Sequence, residues 1–236
     1  MTGDMEERLR GTWDRNAERW SEAVRSGRID SRRLVTDRAI VETIVRLGGQ
    51  KILDVGCGEG WLARALGAKG LEVTGFDGTA ALVESAQRLG GATFMLLDYS
   101  TFASDPMVVG TSYDVAVCNF SLLDRNVRPL LEALRRVATA GGHLVVQTVH
   151  PAAVDGGDED GWREEKYESL PGTWEPMPWY FKTSDSWAAD LRGAGWSPIG
   201  LQEPVHPHTG RPVSLIILAR RAQLHGEPGG SQGTAP

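Results

Sequence analysis

Apolar residues recur at three- and four-residue spacing from about Met5 to Ser26, through Leu9, Trp13, Ala17, Trp20 and Val24, which predicts an amphipathic helix. A second helix is predicted from Arg33 to Leu47, with Leu34, Ile40, Ile44 and Val45 inward and Gly48-Gly49 as its stop. Beyond Gln50 the period changes. Short apolar runs at Lys51–Val55, Leu71–Phe76, Thr93–Leu97, Tyr113–Cys118 and His143–Val149 read as strands. Trp61–Lys69, Thr79–Leu89 and Val127–Thr139 read as helices between them, the last stopped by Gly141-Gly142. Strands alternating with helices imply parallel βαβ units covered on both sheet faces.

The rhythm breaks from Pro151 to Lys182, where an acidic, glycine-rich stretch leads into Trp162, Tyr167, Trp174, Trp179, Tyr180 and Phe181 among prolines. A loop of this length inside a compact domain is usually a functional lid or insertion. A helix at Ser184–Ala194 and strands at Ser197–Glu203 and Val213–Arg220 follow, the strands close enough in sequence to pair antiparallel. From Gly226 the composition of Gly, Pro, Ser and Gln predicts a disordered tail.

Composition narrows the function. The chain has 236 residues, a formal net charge of -6 and a pI near 5.4, which suits one α/β domain and disfavours a phosphate-binding surface, so no nucleic-acid partner is expected. The many arginines of the first fifty residues are interleaved with Asp and Glu and read as solvated helix faces. Cys57 and Cys118 alone suggest neither a disulfide framework nor a zinc site. The polar start and the lack of any long apolar run predict a cytoplasmic protein with no membrane span. A monomer or homodimer is expected.

The chemistry begins at Asp54-Val55-Gly56-Cys57-Gly58-Glu59-Gly60, a glycine turn between an apolar strand and a helix. Glycine there permits a tight bend and close approach of a ligand. Trp61 stands where a dinucleotide fingerprint wants its third glycine, and no Gly-Lys-Ser/Thr ending marks a P-loop. Asp77, about 20 residues on at a strand end, suits two charge-assisted hydrogen bonds from a ribose diol.

Lys51–Gly60 resembles motif I of class I S-adenosylmethionine-dependent methyltransferases, and Val73–Asp77 their second motif. Leu96–Tyr99 resembles the adenine-contacting turn, Tyr113–Leu123 the fourth-strand motif and Ala140–Val146 the turn into strand five. The resemblance implies a Rossmann-like α/β three-layer sandwich, whose seven-stranded, mostly parallel sheet ends in an antiparallel C-terminal pair. Together with the element pattern it divides the chain into an N-terminal helical cap (1–49), a cofactor-binding core (50–150), an inserted aromatic lid (151–182), a closing helix and strands (183–225) and a tail (226–236).

The resemblance also implies that Asp54, Gly56, Cys57 and Gly58 surround the methionine part of S-adenosylmethionine. Asp77 and Gly78 lie at the ribose, Asp98 and Tyr99 at the adenine, and Asn119 near the sulfonium. Trp20 stands where small-molecule methyltransferases often carry an aromatic over the cofactor. Plain structural roles remain open for several: turn capping for Asp98 and Asn119, core packing for Trp20.

Transfer of a methyl group needs a nucleophile held in line, and a neutral nucleophile must also lose a proton. His150, at the end of the fifth parallel strand, is the candidate base, with a structural turn before Pro151 as the alternative. Trp174, Trp179, Tyr180 and His206 are candidates for an acceptor pocket, against a second small core. No metal is expected, because Asn119 and His150-Pro151 occupy the positions where metal-dependent relatives carry acids. Together these readings predict a methyltransferase for a small molecule. A nicotinamide-dependent oxidoreductase and a non-catalytic cofactor-binding protein are the alternatives.

Overall fold

A computed structural model describes residues 2–222. The predicted tail from Gly226 lies outside the described residues. Helix α1 spans Thr2–Arg25, and a π-helical turn at Arg32–Thr36 leads into α2, Asp37–Leu47. The core then alternates β1 (Lys51–Val55), α3 (Trp61–Gly67), β2 (Glu72–Asp77), α4 (Ala80–Leu89), β3 (Thr93–Leu96), α5 (Tyr99–Ser104), β4 (Tyr113–Asn119), α6 (Arg128–Val137) and β5 (Ala138–Val149). A hairpin of β6 (Gly161–Glu165) and β7 (Met177–Phe181) precedes α7 (Ser184–Gly193), β8 (Trp196–Gln202) and β9 (Ser214–Arg221).

The main sheet has seven strands in the order β3-β2-β1-β4-β5-β9-β8. β1 to β5 pair in parallel, and β9 runs antiparallel between β5 and β8. The two-residue strand period sorts side chains between two cores. Leu53 and Val55 join Leu131, Leu134 and Trp187 on the α6–α7 face, while Ile52 joins Ile40, Leu62 and Val83 on the α2–α4 face. Parallel pairing brings the carboxyl ends of β1, β2, β3, β4 and β5 to one edge, where Gly56, Asp77, Asp98, Asn119 and His150 stand.

Several local expectations need correction. Gly141-Gly142 does not stop α6, which ends at Val137; both glycines lie within β5. Val45 is 44% exposed rather than inward, because the buried face of α2 runs through Ile40, Thr43 and Ile44. Short α5 was not foreseen: its sequence Tyr-Ser-Thr-Phe-Ala-Ser buries only Phe102 and has no apolar stripe. The segment read as a loop contains the β6–β7 hairpin, fastened to α1 by Asn16. The Asn16 amide donates to the Glu175 carbonyl at 2.8 Å and accepts the Glu175 N–H at 3.0 Å.

Candidate active site

The turn leaving β1 is fastened to β2 by backbone and side chain together. Gly56 and Cys57 donate their N–H groups to the Phe76 carbonyl at 2.9 and 3.0 Å. The Gly58 N–H donates to Asp77 Oδ2 at 3.0 Å, and the Thr79 N–H to Asp77 Oδ1 at 2.8 Å. Gly56 has φ +68°, and a Cβ there would overlap the Tyr99 hydroxyl and lie 2.5 Å from Ser121 Cβ. Gly58, at φ +56°, faces open space, with nothing within 4 Å of a Cβ. One glycine is therefore required by its neighbours, while the other leaves room beside the chain.

Tyr99 donates its hydroxyl to the Ser121 carbonyl at 3.0 Å, and Ser121 Oγ donates to the Val55 carbonyl at 2.6 Å. Its ring meets Phe76 edge-on, so α5 closes one side of the turn. Asp98 caps α5, accepting the Ser100 and Thr101 N–H groups at 2.9 Å each. The Ser100 hydroxyl, then the Thr101 N–H, hold its carboxyl down at about 2, so it is a carboxylate with part of its accepting capacity committed to the cap. A Cβ on Gly78 would come within 3.5 Å of Asp98, which shows how closely the ends of β2 and β3 approach.

Asp54, next to the end of β1, is buried, and its Oδ2 has no hydrogen-bond partner. Burial first, and then the charge of Asp77, push its carboxyl up to about 7. Burial also raises Asp77, against the N–H groups of Thr79 and Gly58. The Cys57 thiol is buried and pushed well up by burial, so it packs rather than reacts. Asn119 Oδ1 is another buried acceptor without a partner. Buried orphans are rare in folded proteins, so the two on the adjacent strands β1 and β4, beside the glycine turn in sequence and in the sheet, point to a ligand.

Arg32 belongs to this set and sequence reading missed it, since nothing in an arginine-rich run distinguishes it. Its guanidinium lies 4.6 Å from the Trp61 ring centroid and 5.9 Å from that of Trp20. Nε donates to Asp37 at 3.0 Å, while Nη2 is buried without a partner. Trp61 opens α3 directly after the glycine turn, so Arg32 joins that turn to Trp20 on α1.

The other sequence candidates separate. His150 Nδ1 accepts the Ala152 N–H at 3.0 Å, and Nε2 lies 2.9 Å from Glu203 Oε1. With Nε2 donating to that carboxylate, neither nitrogen has a lone pair free to act as the expected base. Trp174 does join Trp20, through Tyr167, in a cluster with Trp13, Leu9, Met177 and Leu123. Trp179 instead meets Phe181, and Tyr180 meets Trp162 across the hairpin. His206 is turned toward His208, with ring centroids 5.6 Å apart.

The sequence pattern of the family described as Methyltransferase domain matches residues 5–200, and the chain belongs to that family. A ubiquinone biosynthesis O-methyltransferase from Marinobacter nauticus is 32% identical over 117 residues, 47% of this chain and 48% of that protein. The chain thus spans about half the length of the curated relatives it matches. Among solved structures, an S-adenosylmethionine-dependent methyltransferase from Mesorhizobium loti superposes with TM-score 0.58 at 19% identity, over 78% of this chain and 96% of its own. A 1,6-didemethyltoxoflavin-N1-methyltransferase from Burkholderia thailandensis superposes with TM-score 0.63 at 18% identity, over 94% and 91%. The sheet is the Rossmann-like methyltransferase sheet, mostly parallel with an antiparallel C-terminal pair.

Proposed function

We propose that this protein transfers a methyl group from S-adenosylmethionine to a small-molecule acceptor by in-line displacement. The observation that carries this reading is the open turn at Gly58 together with buried polar atoms that lack partners on the segments next to it in the fold, Asp54 Oδ2 and Asn119 Oδ1 on the adjacent strands β1 and β4 and Arg32 Nη2 on the side chain that lies over Trp61. An amino-acid ammonium and carboxylate are the groups that Asp54 and Arg32 lack. Asp77, beside Gly78, has lone pairs remaining for ribose hydroxyls, and Asp98 with Tyr99 borders the adenine position. Cys57 and Gly56 shape the turn from behind.

The bound sulfonium supplies an activated methyl group. The protein's part is to orient the acceptor and exclude water, and the cluster of Trp13, Trp20, Tyr167 and Trp174 under α1 provides apolar surface for both. Tyr180 adjoins that cluster through its N–H on the Leu123 carbonyl, Trp179 and His206 stand apart from it, and His150 shapes the turn after β5 through Glu203 and Ala152. Residues 151–182 act as the lid and 1–49 as the cap over the 50–150 core, with 183–225 completing the sheet.

The relatives' names, ubiquinone biosynthesis O-methyltransferase and 1,6-didemethyltoxoflavin-N1-methyltransferase, support a small-molecule acceptor. The net charge of -6 argues for the same class and against nucleic acid. Two buried free cysteines suit a cytoplasmic setting, as a monomer or homodimer. No described helix is long and apolar enough to cross a membrane. The test is incubation with S-adenosylmethionine and pooled small metabolites, reading S-adenosylhomocysteine. Acceptor-dependent release is expected, and release no greater than without acceptor would overturn the proposal.

A further inference from the structure

Asp124 is a half-buried carboxyl with one oxygen shielded from solvent, and none of the roles above uses it. It lies on the loop between β4 and α6, and its Oδ1 has no hydrogen-bond partner. Among the described residues no cation reaches it within ion-pair distance. Its surroundings join the two halves of the site. On one side, Ser121, three residues earlier in the chain, lies against Gly56 and donates its hydroxyl to the Val55 carbonyl at 2.6 Å. On the other, the preceding residue Leu123 packs with Trp13, Trp20 and Trp174, and its carbonyl accepts the Tyr180 N–H at 2.8 Å. Glu6 and Arg10 on α1 complete the charged groups that act on it, with opposite signs.

A carboxylate can only accept hydrogen bonds, so an unpaired one between a cofactor turn and an aromatic cluster calls for a donor from outside the chain. We propose that Asp124 receives the hydrogen of the acceptor's nucleophile, so that the acceptor reacts through an O–H or N–H group. This assignment rests on the methyl-donor reading. As the bond from the nucleophile to the methyl carbon forms, the carbon–sulfur bond breaks and its electron pair goes to sulfur. The nucleophile's proton passes to Asp124 Oδ1. The products are the thioether, the methylated acceptor and a protonated Asp124. Burial, with Glu6 adding to it and Arg10 opposing, raises the carboxyl above its ordinary value, which moves it toward the range useful for a base.

The test needs no knowledge of the acceptor. Sinefungin carries an ammonium-bearing carbon where S-adenosylmethionine carries its methyl-bearing sulfonium, so a carboxylate facing the methyl position meets that ammonium. In mildly alkaline buffer the wild-type protein is expected to bind sinefungin at least about tenfold more tightly than S-adenosylhomocysteine, a charge-assisted contact being involved. Asp124→Asn and Asp124→Ser are both expected to lose that preference and keep their S-adenosylhomocysteine affinity within about twofold, which also reports that they fold.

A preference retained in either variant, or absent from the wild type, would overturn the assignment of Asp124. So would a preference removed by Asn119→Ala and not by the Asp124 variants. A wild-type protein that binds neither compound would instead overturn the methyl-donor reading beneath it.

Discussion

The backbone N–H of Gly58 donates to Asp77 Oδ2 at 3.0 Å, across 19 residues of sequence. The carboxylate that ends β2 therefore holds the turn that ends β1, and it faces the same opening as that turn. Asp77→Ala removes both functions. It is expected to weaken S-adenosylmethionine by about 1 to 3 kcal/mol in calorimetry and to lower the unfolding midpoint as well. Unchanged affinity would place the ribose contact elsewhere.

The two glycines beside that bond separate folding from binding. Gly58→Ala meets no neighbour, so its stability cost is the left-handed backbone alone, about 1 to 2 kcal/mol. It puts a methyl group into the opening, and cofactor affinity is expected to fall at least about tenfold. Gly56→Ala carries the same backbone cost plus overlap with Tyr99 and Ser121, and more than about 3 kcal/mol of stability should be lost. Denaturant unfolding and calorimetry on both variants check the contrast.

Asp54 makes both stability and binding depend on pH, in opposite directions. Its folded value of about 7 stands above the ordinary 3.8, so the folded protein binds the extra proton between those values. Its contribution to the stability of the ligand-free protein is complete below the lower value and is lost as pH rises through about 7, each unit of separation counting for about 1.4 kcal/mol. An ammonium beside Asp54 favours the ionised form, so cofactor affinity should rise over the same interval. Denaturant midpoints and calorimetry across this range are expected to show both trends, and Asp54→Asn should flatten them.

Trp174 and Trp179 were equivalent in sequence and are not equivalent in space. Trp174 stacks near Tyr167, 4.6 Å between centroids, in the cluster under α1, whereas Trp179 meets Phe181 on the hairpin. Once an acceptor is identified, Trp174→Ala should raise its KM by about tenfold or more with little change in cofactor affinity, since a large aromatic area is removed. Trp179→Ala should have the smaller effect. An unchanged KM for Trp174→Ala would reject its place in the acceptor pocket.

The core was legible because its signals are local. Lys51–Val55 is a short apolar run, Gly56 and Gly58 need backbone that other residues avoid, and Asp77 follows about 20 residues on at the end of the next strand. The strand following α6 was misplaced because Gly141-Gly142 imitates a helix stop, although the helix had already ended at Val137. Arg32, Asn16 and Asp124 were illegible for another reason. Each acquires its importance from contacts or desolvation created by distant segments: Trp61 for Arg32, Glu175 for Asn16, α1 for Asp124. His150 shows the converse, since its place after β5 suited a base, but Glu203 and Ala152 engage its ring nitrogens.

The most direct test of the central claim is calorimetric titration of the purified protein with S-adenosylmethionine, S-adenosylhomocysteine and NAD. Saturable one-site binding of the first two, weakened at least about tenfold by Gly58→Ala and absent for NAD, is the predicted result. Preferential binding of NAD, or sulfonium and thioether binding that Gly58→Ala leaves untouched, would contradict it.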